Sequence, residues 1–493
     1  MNFKKDYKNS LESKIPTYYI SMRKQIIIME KIVRKVLKKI VPSKKERETF
    51  EKILAKVVKT ADEMIKPYGL EKTIAGSFIR DTWLTDKREM DLFILFPENY
   101  SREKLEKDGL TLGKKIIEKL GGKYEIAYAE HPYVKGKFEG FNIDIVPCYK
   151  VASASQIKSA VDRTPFHNEY IMKNLKPEMA NEVRLLKQFC KASGIYGSDI
   201  RTQGFSGYLC ELLIINYKTF INLVKNAKDW DFGVFIDLEK HSQFKKDDER
   251  FKGQPLIVID PTDPKRNVAA SLSPENFIKF VEKCRAFVEK PSVSFFEIKK
   301  KMLTKKMLKR YLKKRGTYLF IIRFKRPNIV DDILWSQMRK TSVRLSNLLK
   351  EYDFEVFEKD VWADEKCAYL IFEMKTFFLP PLKIVRGPPI YSKKHVEEFR
   401  KKYGKNAYIE GNRWFAEIKR EYVKCTSLVK DFLKKSEKKL LVLGVRSYLA
   451  KEISKGFNIL EGDKIEKLLE KNKELSVFLR SYFDKANLKF RQI

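Results

Sequence analysis

Gly76-Ser77-Phe78-Ile79-Arg80-Asp81-Thr82-Trp83-Leu84 is followed, twelve residues after the serine, by Glu89-Met90-Asp91-Leu92-Phe93-Ile94-Leu95-Phe96-Pro97. The second stretch is apolar, closed by a proline and too short for a helix, so it reads as a strand. Side chains alternate along a strand, which puts Glu89 and Asp91 on one face. Two carboxylates so close repel each other unless a divalent cation lies between them. A third acid, Asp144, stands alone in the apolar run Phe141-Asn142-Ile143-Asp144-Ile145-Val146-Pro147, again a strand by pattern. If the two strands are neighbours, three oxygen ligands meet at one point and suit two magnesium ions roughly 3.5–4 Å apart. Such a pair activates an attacking hydroxyl and holds a triphosphate with its leaving pyrophosphate. Gly76-Ser77 supplies the phosphate end: glycine lets the backbone approach, Ser77 adds a hydroxyl donor, and Arg80 follows about one turn on. Taken alone, acid-x-acid on a strand is a common exposed edge; it is the ordered combination that carries the signal.

The bulk composition agrees. The 493 residues allow two to four domains, and 43% hydrophobic content supplies packed cores. The net charge of +37, from 102 basic against 65 acidic residues, calls for a polyanionic partner. RNA, DNA and an anionic membrane are the candidates. The membrane is the weakest, because no apolar run approaches the length of a spanning helix. A lysine-rich thermophile surface would explain many basic residues but not their excess over the acids. The N-terminus is basic without the apolar core of a signal peptide. Six scattered cysteines, Cys148, Cys190, Cys210, Cys284, Cys367 and Cys425, form no C-x-x-C pair, which argues for reduced core thiols in the cytoplasm and against zinc.

Along the chain, residues 1–30 read as a basic extension. The regular helical pattern begins just after Met29, an alternative start, and runs from about 31 to 67. Residues 31–155 hold the strands with the acids, and residues 156–290 are mainly helical. There, helices are expected from Glu178 to Ser193 and from Ser206 to Lys225, with Ser206 as N-cap and Gly194 just past a C-terminus. Residues 291–424 form an α+β module: a strand near Gly316–Phe324, a helix at about 331–351 and a strand at Cys367–Met374. Residues 425–493 return to helices, broken at Gly444 and Gly462. Lys299–Arg315 holds ten basic residues in seventeen around an apolar helical stripe, a basic arm for an RNA backbone or a solvated face.

The Gly-Ser, acid-x-acid and third-acid pattern resembles the DNA polymerase β-like nucleotidyltransferase superfamily. Further stretches narrow the resemblance: Thr164-Pro165-Phe166-His167; Arg184-Leu185-Leu186-Lys187 through Gly194-Ile195-Tyr196-Gly197; Gly204-Phe205-Ser206-Gly207-Tyr208-Leu209-Cys210-Glu211-Leu212-Leu213; Asp260-Pro261-Thr262-Asp263-Pro264-Lys265-Arg266-Asn267-Val268-Ala269-Ala270; and Gly387-Pro388-Pro389. In this order they resemble the archaeal, class I CCA-adding enzymes over about residues 31–493. The resemblance implies an α+β multidomain chain with a nucleotidyltransferase head, a helical neck, an RNA-binding α+β body, a helical tail and commonly a homodimer. It implies untemplated addition of C-C-A to the tRNA 3′ end from CTP and ATP. It places Mg²⁺ on Glu89, Asp91 and Asp144, the nucleotide on Gly76, Ser77, Arg80, His167, Lys187 and Tyr196, and the incoming base on Arg266. Glu89 stands where related proteins often have Asp; both ligate magnesium.

Read without the resemblance, these residues leave alternatives open. Arg184, Lys187 and Lys191 share one helical stripe, facing either a triphosphate or solvent. His167 alone is more often a structural hydrogen-bonding residue. Tyr196 can stack on a base or simply pack. Arg266 can cap a helix or use its forked donors on a base edge. The rival functions are a poly(A) polymerase or oligoadenylate synthetase-like enzyme, an RNA-binding protein with a vestigial site, and a small-molecule transferase.

Overall fold

A computed structural model describes residues 17–485 apart from 86, 129–130, 242–247 and 299. The chain divides into two compact units, residues 1–299 and 300–493. Residues 1–16 of the expected N-terminal extension lie outside the described residues. The remainder is not an extension but part of helix α1 (Thr17–Ile40). The reason is an apolar stripe of Met29, Val33, Val36 and Ile40, at steps of three and four, that buries against the helical core of the first unit. The single helical stretch expected over 31–67 is thus two helices. The second, α2 (Lys44–Ile65), opens at Ser43, whose hydroxyl and the Glu46 side chain form a capping box.

The head is a five-stranded sheet in the order β1-β2-β5-β4-β3. Its strands are β1 (Glu71–Ala75), β2 (Glu89–Pro97), β3 (Lys123–Tyr128), β4 (Pro132–Phe138) and β5 (Phe141–Lys150), with α3 (Arg102–Lys119) between β2 and β3. One face buries Leu92, Ile94, Ile143 and Ile145 against Ile53 and Val57 of α2 and Leu112 and Ile116 of α3. Strand alternation sends Glu89, Asp91 and Asp144 to the opposite face.

Residues 164–289 are mostly helical: α4 (Thr164–Asn174), α5 (Ala180–Ala192), α6 (Gly207–Tyr217), α7 (Phe220–Ala227) and α8 (Pro274–Glu289). Between α7 and α8 lies a small sheet of β6 (Val234–Ile236), β7 (Leu256–Asp260) and β8 (Asp263–Asn267). The single helix expected over 206–225 is broken at Lys218, where φ is +68°. Ser206 does cap α6, accepting from the Leu209 N–H at 3.0 Å.

The second unit opens with α9 (Lys305–Arg315), β9 (Tyr318–Lys325), α10 (Asp331–Glu351), β10 (Val356–Ala363) and β11 (Cys367–Met374). A separate three-stranded sheet follows, made of β12 (Leu382–Pro389), β13 (Ala407–Glu410) and β14 (Arg413–Lys419), with α11 (Lys393–Tyr403) between its first two strands. The stretch from 425 is helical except for β15 (Phe457–Glu461), which pairs with β9 and completes the sheet β10-β11-β9-β15. Residues expected as a separate tail therefore share a layer with the body. No helix among the described residues is long and apolar enough to cross a membrane.

Candidate active site

Strands β2 and β5 are parallel neighbours, and their register sets Asp91 directly opposite Asp144. Burial pushes the Asp91 carboxyl upward, with Glu89 adding to the rise against Lys87 and Arg80. Burial, then the charge of Asp91, pushes Asp144 up to about 6. Asp144 Oδ1 is buried with no hydrogen-bond partner, an arrangement that costs free energy unless a cation answers it. Gly76 directly follows β1 with φ +99°, and a Cβ there would stand 2.7 Å from Asp91 Oδ2. An orphaned carboxylate oxygen, two opposed acids and a cradle that excludes even a methyl group are the donor set a divalent cation fits. Glu89 lies on the same face two residues before Asp91, but its carboxylate meets Lys87 Nζ at 3.1 Å. Among the described residues no three of His, Cys, Asp and Glu form a closed metal cluster. The structure thus brings Asp91 and Asp144 together and holds Glu89 beside them on Lys87.

The Gly76–Leu84 loop is pinned from three helices. Arg47 of α2 meets Asp81 at 2.6 Å. Arg184 of α5 also pairs with Asp81 and donates to Trp83 O at 2.8 Å. Lys187 of α5 donates to Thr82 O at 3.2 Å, Thr82 Oγ1 at 2.9 Å and Glu211 Oε1 of α6 at 3.1 Å. Asp81 sits at φ +49° and Thr82 N–H returns to Ser77 O at 2.8 Å, which closes the loop on itself. Arg80 faces Glu211 Oε2 through Nε at 3.1 Å and donates from Nη1 to Asn168 Oδ1 at 3.2 Å. The stripe of Arg184 and Lys187 is therefore not a solvated face: they are 1% and 2% exposed. Tyr196 is half-buried; its hydroxyl and the Lys187 ammonium flank Gly207. Burial, with Cys210 and Glu211 next, raises its phenol, and Glu89 adds to the rise.

Around Asp260, at the end of β7, the remaining expected residues meet. His167 Nε2 lies 2.8 Å from Asp260 Oδ2 and its ring stacks on Tyr208 at 4.0 Å. Tyr208 donates to Asp260 at 3.2 Å, Thr262 donates through N–H and hydroxyl at 3.0 and 2.8 Å, and Arg266 donates at 2.8 Å. Burial would raise Asp260, but these donors, His167 foremost, hold it well below the usual carboxylate range. Arg266 is thereby held with a forked guanidinium partly exposed.

Glu211, Asp260 and Tyr133 were not singled out from sequence. Glu211 carried a signal: it is the one charge within the apolar run Leu209–Ile215, and such a residue needs a buried cation. Asp260 likewise ends the apolar run Leu256–Ile259. Tyr133 carried none. It stands on β4 next to Asp144's strand, and burial, then Asp144 and Asp91, raises its phenol to about 12.

Residues 52–167 match the family described as nucleotidyltransferase domain, 181–297 the second domain of tRNA nucleotidyltransferase, and 315–462 the C-terminal domain of CCA-adding enzyme. The chain is 38% identical over 471 residues to the CCA-adding enzyme of Methanosarcina acetivorans, spanning 94% of this chain and 100% of that one. With the CCA-adding enzyme of Methanocaldococcus jannaschii it shares 39% over 416 residues, 83% of this chain and 91% of that one. With that of Archaeoglobus fulgidus it shares 37% over 441 residues, 89% and 96%.

Proposed function

The chain belongs to the archaeal CCA-adding enzymes, and from that premise we infer how its own residues perform the reaction. The enzyme adds C-C-A to the 3′ end of tRNA by nucleotidyl transfer from CTP and ATP. Similarity along nearly the whole of a curated relative, including the CCA-specific C-terminal domain, is the observation that carries this reading over a poly(A) polymerase.

In our reading Asp91, Asp144 and Glu89 would hold Mg²⁺. A metal held there would supply Lewis-acid stabilisation to the attacking hydroxyl and the departing pyrophosphate. The protein's own residues do the positioning. Gly76 lets the triphosphate approach the carboxylates, and Ser77 and Arg80 face its oxygens. His167, Lys187 and Tyr196 complete the nucleotide-binding side. Arg266, steadied by Asp260, presents parallel donors to the base. The tRNA lies along the basic second unit, and a homodimer belongs to the same reading.

The test incubates the protein with tRNA lacking its last three residues, Mg²⁺, and CTP, ATP or both, with Asp91→Ala as control. Two C's from CTP alone and C-C-A from both, absent in the control, are expected. A long A tail would move the protein to the poly(A) polymerases, and salt-sensitive tRNA binding without extension would make the site vestigial. Sedimentation in the same buffer reads the oligomeric state.

A further inference from the structure

Glu211 is fully buried on a helix whose neighbouring residues are apolar, so its charge persists only because of what it touches. Oε1 takes Lys187 Nζ at 3.1 Å and the Thr82 hydroxyl at 2.5 Å; Oε2 faces Arg80 Nε at 3.1 Å. One carboxylate thus joins three separate segments: the Gly76–Leu84 loop, α5 and α6. An ammonium has three protons to donate, and Lys187 already has three acceptors in Thr82 O, Thr82 Oγ1 and Glu211 Oε1. Lys187 is thereby held against the loop. Arg80 differs: its Nε is ion-paired with Glu211 Oε2 at 3.1 Å outside hydrogen-bonding geometry, Nη1 donates to Asn168 Oδ1, and the rest of its donor fork remains for a ligand. One acid against two cations leaves a net positive charge beside the carboxylate pair, the sign a triphosphate requires.

We propose that Glu211 is a positioning residue for nucleotide binding: it aims Arg80 at the triphosphate and locks Lys187 against the loop that carries Ser77. The proposal rests on the reading of Arg80 as a triphosphate contact.

Steady-state KM and kcat for CTP are measured with trimmed tRNA for Arg80→Gln, Glu211→Gln and the double variant, with tRNA affinity and melting temperature alongside. Each single change raises KM for CTP by about tenfold or more, as loss of a charge-assisted contact does, and changes kcat less. The double variant falls well short of the product of the two singles, because the Arg80–Glu211 interaction is lost in both. Multiplying effects in the double variant overturn the proposal. So does an unchanged KM in Glu211→Gln while Arg80→Gln raises it; that result leaves the reading of Arg80 standing. An unchanged KM in Arg80→Gln removes that reading and the proposal with it. Should Glu211→Gln not fold, Glu211→Asp keeps the charge but withdraws it by one methylene. A raised KM with a melting temperature near that of the unmodified protein is then expected, and an unchanged KM overturns the proposal.

Discussion

Asp91 and Asp144 are Cα partners across two parallel strands, so their carboxylates share one side of the sheet with no residue between them. Without metal this juxtaposition costs stability, since burial and Asp91 both oppose ionisation of Asp144. Asp144→Asn is therefore expected to raise the melting temperature in EDTA while reducing CMP incorporation about a thousandfold, the several kcal/mol a bound metal contributes. Adding Mg²⁺ stabilises the unmodified protein by mass action, about 2.7 kcal/mol at a hundred times Kd, and leaves Asp144→Asn nearly unmoved. Melting curves in EDTA and in Mg²⁺ check both halves. Equal Mg²⁺ shifts in the two proteins would place the metal elsewhere.

Gly76→Ala puts a methyl group into that cradle. Its Cβ would lie 2.7 Å from Asp91 Oδ2, and φ of +99° is a conformation side chains rarely adopt. The backbone strain costs on the order of 1–3 kcal/mol. Activity is expected to fall more than stability, because relief requires the loop or Asp91 to move away from Asp144. Single-turnover CMP incorporation compared with the melting temperature separates the two, and wild-type turnover would mean the close approach is dispensable.

Much of this was legible in the sequence because it rests on local pattern. Alternation along Glu89–Pro97 put Glu89 and Asp91 on one face, and an apolar run ending in proline marked the strand of Asp144. Helix α10 and strand β11 fall at Asp331–Glu351 and Cys367–Met374, since their period and flanking turns are complete in themselves. Non-local pairings were the ones that escaped. That β15 crosses back to β9 is decided by sheet edges far apart in the chain, as is the meeting of His167, Tyr208 and Arg266 on Asp260. The start of α1 was obscured because polar residues dilute its stripe, and only packing against distant helices shows that Met29 is core.

Glu211 gives the first unit an acid-sensitive joint. Burial alone would raise its carboxyl, but Lys187, Arg80 and Thr82 hold it at about 2 against an ordinary 4.5. A depressed acid contributes stability in full above its unfolded value and loses it as pH falls through the interval to the folded value. The stability gap between the unmodified protein and Glu211→Gln should accordingly be constant above about pH 5 and shrink towards pH 2, by on the order of 3 kcal/mol. Urea unfolding of both proteins at a series of pH values reads this gap. A gap independent of pH would show that the carboxylate is not held ionised by the two cations.

The basic helix α9 offers the last test, directed at tRNA. Leu308 and Tyr311 seat it in its own unit, and Glu466 takes Lys305 and Lys309, the latter at 3.1 Å. Lys306, Lys313 and Lys314 are exposed on its remaining surface. Each phosphate contact adds about 0.7–0.9 to the slope of log affinity against log salt, through counterion release. Changing these three lysines to Gln should flatten that slope by about 2–3, weaken tRNA binding most at low salt and leave the KM for CTP unchanged at saturating tRNA. Filter binding over a salt series gives the slope directly. An unaltered slope would place α9 off the RNA path and assign its charge to a solvated face.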